Sequence, residues 1–172
     1  MKISGRALVM GDSVNTDVLH PSQFFSLDDR RIRAGFLQAA SGYEQIGQAD
    51  LSNKIVLAGD NFGCGSSRET GARVFLLAGI RAIVARSLAS IFKRNILNLG
   101  LPAFECPGLE SFPEQNAEIL VDVVDCSITI PSLTTKYPLT PLDPYWQAII
   151  GAGGLIPFLG LDGRPDKSAV GR

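Results

Sequence analysis

Short runs of consecutive apolar residues alternate along this chain with apolar residues at helical spacing. The runs Lys54–Ala58 and Ala82–Ala85 are typical of strands buried in a sheet. The apolar positions after each run predict one helix from about 67 to 79 and another from 88 to 99. This repeated order of strand and helix predicts an α/β core in which the strands pair in parallel.

Weaker patterns predict the remaining elements of a single domain over residues 1–172. Further strands are predicted at 7–10, 103–106, 118–124 and Ser127–Ile130. The last two can form a hairpin, and helices are predicted at 28–40 and 143–151. The prolines between residues 131 and 144 predict an irregular stretch before the last helix, and the tail, about 161–172, is expected to fray.

Composition and charge narrow the classes of function. The chain has 172 residues, of which 45% are hydrophobic, and its formal net charge is −1. Since the charges are interspersed, we expect neither a basic groove for nucleic acid nor a polybasic patch for a membrane surface. The apolar stretches are much shorter than the roughly 20 residues that a membrane-spanning helix needs, and the first ten residues do not resemble a signal peptide.

The cysteines indicate a reducing, cytoplasmic setting. There are three, Cys64, Cys106 and Cys126, and they are far apart in the sequence. An odd number with wide spacing does not form a disulfide framework. Because no C-x-x-C pair is present, this chain by itself is not expected to bind an iron–sulfur cluster or another metal.

A glycine-rich segment, residues 59–69 (GDNFGCGSSRE), carries the main chemical signal. It lies between a predicted strand and a predicted helix, where free backbone N–H groups and the helix dipole favour an anion. Ser66 is a suitable helix N-cap, and Ser66 and Glu69 have capping-box spacing. Together with the hydroxyl of Ser67 and the guanidinium of Arg68, this segment could bind a carboxylate or a phosphate.

Other interpretations of this segment can be compared with its residues. A well-capped helix after a glycine turn is the purely structural alternative. The segment lacks the lysine of a P-loop, and it fits neither G-x-G-x-x-G nor G-x-S-x-G. The one histidine, His20, gives little support to a Ser-His-Asp triad and is expected to be a surface or packing residue. Cys64 is expected to be a small buried residue.

Three segments together resemble the small subunits of 3-isopropylmalate dehydratases, the detached swivelling domain of the aconitase superfamily. They are residues 59–69, residues 11–17 (GDSVNTD), which match the pattern G-D-x-x-x-T-D, and residues 152–156 (AGGLI), which match a closing Gly-Gly turn. The matches run in order over about 11–159. The resemblance implies a β/β/α swivelling fold of the aconitase type, with a mixed sheet and flanking helices.

The resemblance also implies a hydro-lyase that removes and re-adds water across adjacent carbons of a malate derivative. In the family pattern Ser66 is the catalytic base, and Ser67 and Arg68 bind a substrate carboxylate. Thr16 and Asp17 lie at the cleft and are also expected to bind substrate. A 4Fe–4S cluster on a separate large subunit supplies a Lewis acid, so the present chain is expected to be inactive alone. The residues alone favour a turn that Thr16 and Asp17 hold through bonds from side chain to backbone, and the family resemblance reverses this preference.

A short apolar segment, Phe24, Phe25, Ser26 and Leu27, is the expected specificity loop. Relatives that accept tricarboxylates tend to carry an aromatic residue followed by Leu-Arg-Thr here, where the arginine can pair with the third carboxylate. In this chain that cation is missing, so an alkyl substituent such as isopropyl is favoured. The expected reaction is therefore the isomerisation of 2-isopropylmalate and 3-isopropylmalate in leucine biosynthesis.

Alternatives remain open at this point. Arg30 or Arg31 could reach the substrate, which keeps homoaconitate possible, and methylmalate (citraconate) and dimethylmalate are further candidates. A non-catalytic anion-binding module on the same fold is the alternative from another class. Many relatives carry histidine after S-S-R-E where this chain has Thr70. The expected partners are the large subunit and a small di- or tricarboxylate, and homo-oligomers of the isolated chain are left open.

Overall fold

A mixed seven-stranded sheet forms the centre of the computed structural model, which describes residues 2–43, 46–47 and 49–161. The strands are β1 Lys2–Val9, β2 Lys54–Ala58, β3 Ala82–Ala85, β4 Ala103–Glu105, β5 Glu118–Asp122, β6 Ser127–Ile130 and β7 Thr135–Pro138. Their order in the sheet is β4-β3-β2-β1-β5-β6-β7. Strands β1 to β4 pair in parallel, and β5, β6 and β7 continue from β1 in antiparallel pairs.

Helices connect the parallel strands, and two further helices follow the last strand. In the described residues they are α1 Thr16–Leu19, α2 Asp29–Ala34, α3 Thr70–Leu77, α4 Ser90–Asn98, α5 Pro144–Ala152 and α6 Leu155–Phe158. Two 3-10 turns lie at Ser22–Phe24 and Pro131–Leu133. Helices α3 and α4 form the crossovers from β2 to β3 and from β3 to β4, as parallel strands require. None of the helices described is both long and apolar enough to cross a membrane.

An aromatic cluster packs beneath the glycine-rich segment. Phe62, which belongs to that segment, is fully buried and meets Phe75 of α3 and Phe92 of α4 edge to face, with ring centroids 6.0 and 5.6 Å apart. Gly63 has a φ of +79°, and a Cβ there would lie 2.2 Å from the Phe92 ring. The close packing of this aromatic core therefore requires glycine next to Phe62 and fixes the base of the segment.

The fold class predicted from the sequence is confirmed, including the β5–β6 hairpin. Three of the labelled elements were missed: α1, α6 and the edge strand β7, which lies where an irregular stretch was predicted. β7 is compatible with Pro138 because the proline is the last residue of an edge strand. The helix predicted at 28–40 is shorter, since it ends at Ala34 and Leu37 has a positive φ of 59°. Apart from Leu161, the predicted frayed tail lies outside the described residues.

Candidate active site

The two sequence motifs meet directly at the carboxyl ends of β1 and β2. Thr16 donates its backbone N–H to the carbonyl of Cys64 at 2.8 Å, and Gly63 donates to the carbonyl of Val14 at 3.0 Å. Asn15 and Cys64 thereby form an isolated parallel bridge. Because parallel strands present their carboxyl ends at one edge of the sheet, residues 11–17 and 59–69 are brought together there.

Side chains from two helices hold the backbone at Ser66 and Ser67. The Thr16 hydroxyl donates a hydrogen bond to the carbonyl of Ser66 at 3.2 Å, and Thr16 is only 3% exposed. The side-chain amide of Asn95 in α4 donates to the carbonyl of Ser67 at 3.2 Å. Both carbonyls are therefore bound by residues distant in the sequence, and the two hydroxyl side chains are left on the outer side of the segment.

The predicted capping box is wrong. Helix α3 begins at Thr70, its N-cap is Glu69, and no side chain caps it. The Ser66 hydroxyl instead accepts the backbone N–H of Arg68 at 3.2 Å. The Ser66 carbonyl accepts the Thr16 hydroxyl, which ties the Ser66 backbone to α1 just before α3 begins. Ser66 thus lies one turn before the helix, and the helix dipole acts on it more weakly than predicted.

Asn15 fixes the other half of the site. Its side-chain oxygen accepts the backbone N–H of Asp17 at 2.7 Å and so caps α1. Gly65 packs against this cap with a φ of +100°, and a Cβ at Gly65 would lie 2.2 Å from the same oxygen. Glycine is therefore needed at position 65 both for its backbone conformation and for the approach of Asn15.

Arg68 and Asp17 are paired across the two motifs. The Nη2 atom of Arg68 contacts Oδ1 of Asp17 in a hydrogen-bonded ion pair. The guanidinium carbon of Arg68 also lies 3.8 Å from the ring centroid of Phe25. The two charged side chains are 41% and 52% exposed, so the pair is open to a ligand from solvent.

The expected specificity loop, residues 24–27, lies beside the Arg68–Asp17 ion pair. It contacts Arg68 through the ring of Phe25. Phe24, Phe25 and Ser26 are half-buried, whereas Leu27 is 99% exposed. The guanidinium of Arg31 donates to the carbonyl of Gln23 at 3.0 Å, so Arg31 supports the backbone of the loop. The loop thus presents apolar side chains next to the Arg68 guanidinium.

His20 is buried behind the loop and is 1% exposed. Its ring stacks on Phe25 with centroids 5.7 Å apart and an interplanar angle of 15°. Nε2 lies 3.1 Å from the carbonyl of Ile32, so we assign the proton to Nε2, and Nδ1 has no partner among the described residues. Burial lowers the pKa of His20; the bond to Ile32 opposes this shift and the charge of Arg68 adds to it.

Arg86 is a residue that the sequence analysis missed. Its guanidinium contacts Asp12 at 2.6 Å and Asp60 at 3.1 Å, so it joins the first residues of both motifs. Asp12 also accepts the backbone N–H of Asp60 at 2.8 Å, and this bond and Arg86 lower the pKa of Asp12. The one signal in the sequence that could have indicated Arg86 is its position as a charged residue directly after the buried strand β3.

Thr70 opens α3, and its buried hydroxyl has no partner within the described part of the chain. Cys64 is half-buried, and its sulfur lies 3.3 Å from the carbonyl of Ser13. Cys106 is buried, and burial raises the pKa of its thiol to about 11.

Among the residues described, no three His, Cys, Asp or Glu side chains are grouped so as to hold a metal. The described side chains therefore do not provide a ligand set for an iron–sulfur cluster.

Three cavities of about 360, 410 and 570 Å³ lie outside the candidate site, and none of the predicted site residues lines them. The first lies between β4, the β5–β6 turn and α5, and the other two lie around β5 and the segment before it.

Comparison with known proteins decides the family. A family model described as the aconitase C-terminal domain matches residues 16–107, which is more than half of the chain. The chain belongs to the aconitase C-terminal domain family. Both motifs of the site begin within or next to the matched region, so the geometry described above is that of a member of this family.

Relatives in this family cover nearly the whole chain. A 3-isopropylmalate dehydratase small subunit of Thermodesulfovibrio yellowstonii is 36% identical, over 91% of this chain and 92% of the relative. A 2,3-dimethylmalate dehydratase small subunit of Eubacterium barkeri is 35% identical, over 92% and 97%. The crystal structure of a 3-isopropylmalate dehydratase from Methanocaldococcus jannaschii is 28% identical, with a TM-score of 0.83 over 93% and 94% of the two chains.

Proposed function

We propose that this chain is the small subunit of a heteromeric hydro-lyase that interconverts 2-isopropylmalate and 3-isopropylmalate in leucine biosynthesis. Its family membership and the names of its relatives support this assignment. The observation that carries the proposal is the convergence of three groups on one exposed edge of the sheet. These are the hydroxyl of Ser66, the guanidinium of Arg68 and the carboxylate of Asp17.

Ser66 is the proposed base. Its alkoxide takes the proton from a substrate carbon, the electrons of that C–H bond form the alkene, and the hydroxyl on the adjacent carbon leaves. Return of the proton and of the hydroxide to the two carbons in the opposite orientation gives the isomer. Because an alkoxide is far more basic than the other groups of the site, it must be stabilised. The backbone N–H of Arg68, 3.2 Å from the Ser66 oxygen, and the positive charge of Arg68 supply this stabilisation.

Arg68 is the proposed carboxylate-binding residue. Its planar fork can bind a carboxylate through two parallel hydrogen bonds, which a lysine could not reproduce. Asp17 engages Nη2 and so orients the fork, and the exposed Ser67 hydroxyl can donate to the same carboxylate. Thr16 is buried, and its hydroxyl is already bonded to Ser66. We therefore give Thr16 the role of positioning Ser66 in place of direct contact with substrate.

A large subunit is the proposed partner. The small-subunit names of the relatives imply such a chain, and the exposed Arg68–Asp17 pair is accessible to it. We place the 4Fe–4S cluster on that subunit, as membership of the aconitase C-terminal domain family suggests. The present chain then supplies the base and the carboxylate-binding groups, and it is active only in the complex.

The alkyl group of the substrate is assigned from the specificity loop. Phe24, Phe25 and the exposed Leu27 give the loop an apolar surface, and Ser26 stands where a tricarboxylate enzyme would need a cation. A second candidate is 2,3-dimethylmalate, which is favoured by the dimethylmalate dehydratase relative at 35% identity. Absorbance of the alkene product, measured for each acid after reconstitution with the large subunit, separates these substrates.

Substitution of Ser66 tests the proposal. Ser66→Ala in the reconstituted complex should abolish turnover while assembly of the two subunits stays intact. Ser132→Ala changes an exposed serine in the Pro131–Leu133 turn and serves as the matched control with normal turnover. Normal turnover by Ser66→Ala would remove Ser66 as the base.

A further inference from the structure

The guanidinium of Arg68 is contacted on its face by the ring of Phe25 and at its edge by the carboxylate of Asp17. Its central carbon lies 3.8 Å from the ring centroid of Phe25, well inside the roughly 6 Å range of a cation–π contact. The stacked face carries no N–H group, since all the donors of a guanidinium point outward in its plane. Stacking therefore restrains Arg68 without using the hydrogen bonds that a carboxylate needs.

Phe25 itself is fixed from two directions. Its backbone N–H donates to the carbonyl of Ser22 at 3.1 Å at the end of a 3-10 turn. Its ring stacks nearly parallel to His20, whose own ring is buried and bonded to the carbonyl of Ile32. Gly35 allows this packing, because a Cβ there would come within 2.5 Å of Phe24 and 3.0 Å of His20.

The three side chains thus form a support that runs from the protein interior to the surface: His20, then Phe25, then Arg68. At the surface Arg68 is 41% exposed, and a long side chain at such a position has many rotamers in the absence of a support. Asp17 alone fixes one Nη2 atom, which leaves the plane of the guanidinium free to tilt. The Phe25 ring is the contact that defines this plane.

We infer that Phe25 is a positioning residue, which stacks under Arg68 and orients its guanidinium to receive the substrate carboxylate. The inference rests on the proposed function, because it extends the role given there to Arg68. It also gives the predicted specificity loop a second role: the loop contacts the alkyl group and, through Phe25, sets the carboxylate-binding group. Substrate affinity should therefore depend on an aromatic face at position 25 and not on apolar volume alone.

Two substitutions separate the aromatic face from the volume. Phe25→Leu keeps an apolar side chain and removes the π face, whereas Phe25→Tyr keeps the face. In the reconstituted complex, Phe25→Leu should raise KM about three- to fivefold, as expected for loss of an exposed cation–π contact, with kcat changed by less than about twofold. Phe25→Tyr should keep KM within about twofold of wild type.

A measurement on the isolated full-length chain follows Arg68 without activity. Protons of the Arg68 side chain should show ring-current shifts in the wild type and in Phe25→Tyr, and these shifts should disappear in Phe25→Leu. Absence of the shifts in the wild type, or equal KM values for Phe25→Leu and Phe25→Tyr, would overturn the inference. A wild-type complex inactive toward every malate derivative would instead overturn the proposed function, and the two failures are thereby distinguished.

Discussion

The Thr16 hydroxyl donates a hydrogen bond to the Ser66 carbonyl, 3.2 Å away, across a separation of 50 residues. This bond joins the two motifs that the sequence presents separately. It also ties the Ser66 backbone to α1, one turn before α3 begins at Thr70. The shape of the candidate site therefore depends on a residue that is itself buried.

Thr16→Val is expected to reduce turnover and stability together. Valine has the shape of threonine but no hydroxyl, so the Ser66 carbonyl loses its donor. We expect a loss of about 1 kcal/mol in the free energy of unfolding, measured with urea, and a larger fractional fall in kcat than in subunit affinity. Thr16→Ser keeps the hydroxyl and should retain most of the activity. Equal turnover by Thr16→Val and the wild type would contradict the positioning role.

Gly65→Ala is expected to damage the site through the backbone. The φ of +100° is unfavourable for alanine, and the added Cβ would displace the Asn15 side chain from Asp17. Together these effects should lower the free energy of unfolding by about 2 kcal/mol or more. Gly11→Ala is a matched control, because a Cβ at Gly11 would meet nothing within 4 Å. The two midpoints of urea unfolding can be compared directly, and similar values would contradict this account of Gly65.

His20 is expected to make stability depend on pH below neutrality. Its pKa in the folded chain lies below its ordinary value of 6.5, so the unfolded chain binds more protons in the interval between the two values. Stability is therefore fully present above about 6.5 and falls as the pH drops through this interval. Because the chain has one histidine, NMR of its ring nitrogens reports both the pKa and the proton on Nε2.

A glutamine control isolates the contribution of His20. Urea midpoints of His20→Gln should lose the dependence on pH just below 6.5. The carboxyl groups whose pKa values are also lowered, such as Asp12 and Glu105, titrate below their ordinary values of 3.8 and 4.5 and so act at lower pH. A His20 pKa at or above 6.5 would contradict the burial argument.

Much of the fold could be predicted because it follows from local pattern. Runs such as Lys54–Ala58 and Ala82–Ala85 are buried on both faces, and a fully apolar run has few other stable environments. β7 was missed because its exposure alternates at the sheet edge and Pro138 argues against a strand. Helix α1 was missed because four residues give no periodicity, and its start depends on the Asn15 cap.

The candidate site was predicted as a set of residues and not as a geometry. The motif around Ser66 and Arg68 indicated anion chemistry from its residue types alone, and the placement of Thr16 and Asp17 beside it followed from the family resemblance. The capping box was wrong because α3 begins only at Thr70, and the Ser66 hydroxyl accepts the Arg68 N–H in the turn before it. Arg86 escaped notice because its two carboxylate partners, Asp12 and Asp60, lie far from it in the sequence.

By itself, the sequence determined the α/β class, the strand–segment–helix unit and the kinds of functional group at the site, since these depend on apolar spacing and residue chemistry. Only the tertiary structure decided where α3 begins, which partner Arg68 takes and which ring supports it. The physical reason is that each of these choices is a competition between a local hydrogen bond or rotamer and a contact from a distant segment. Such a contact exists only after β1 and β2 have aligned the two motifs.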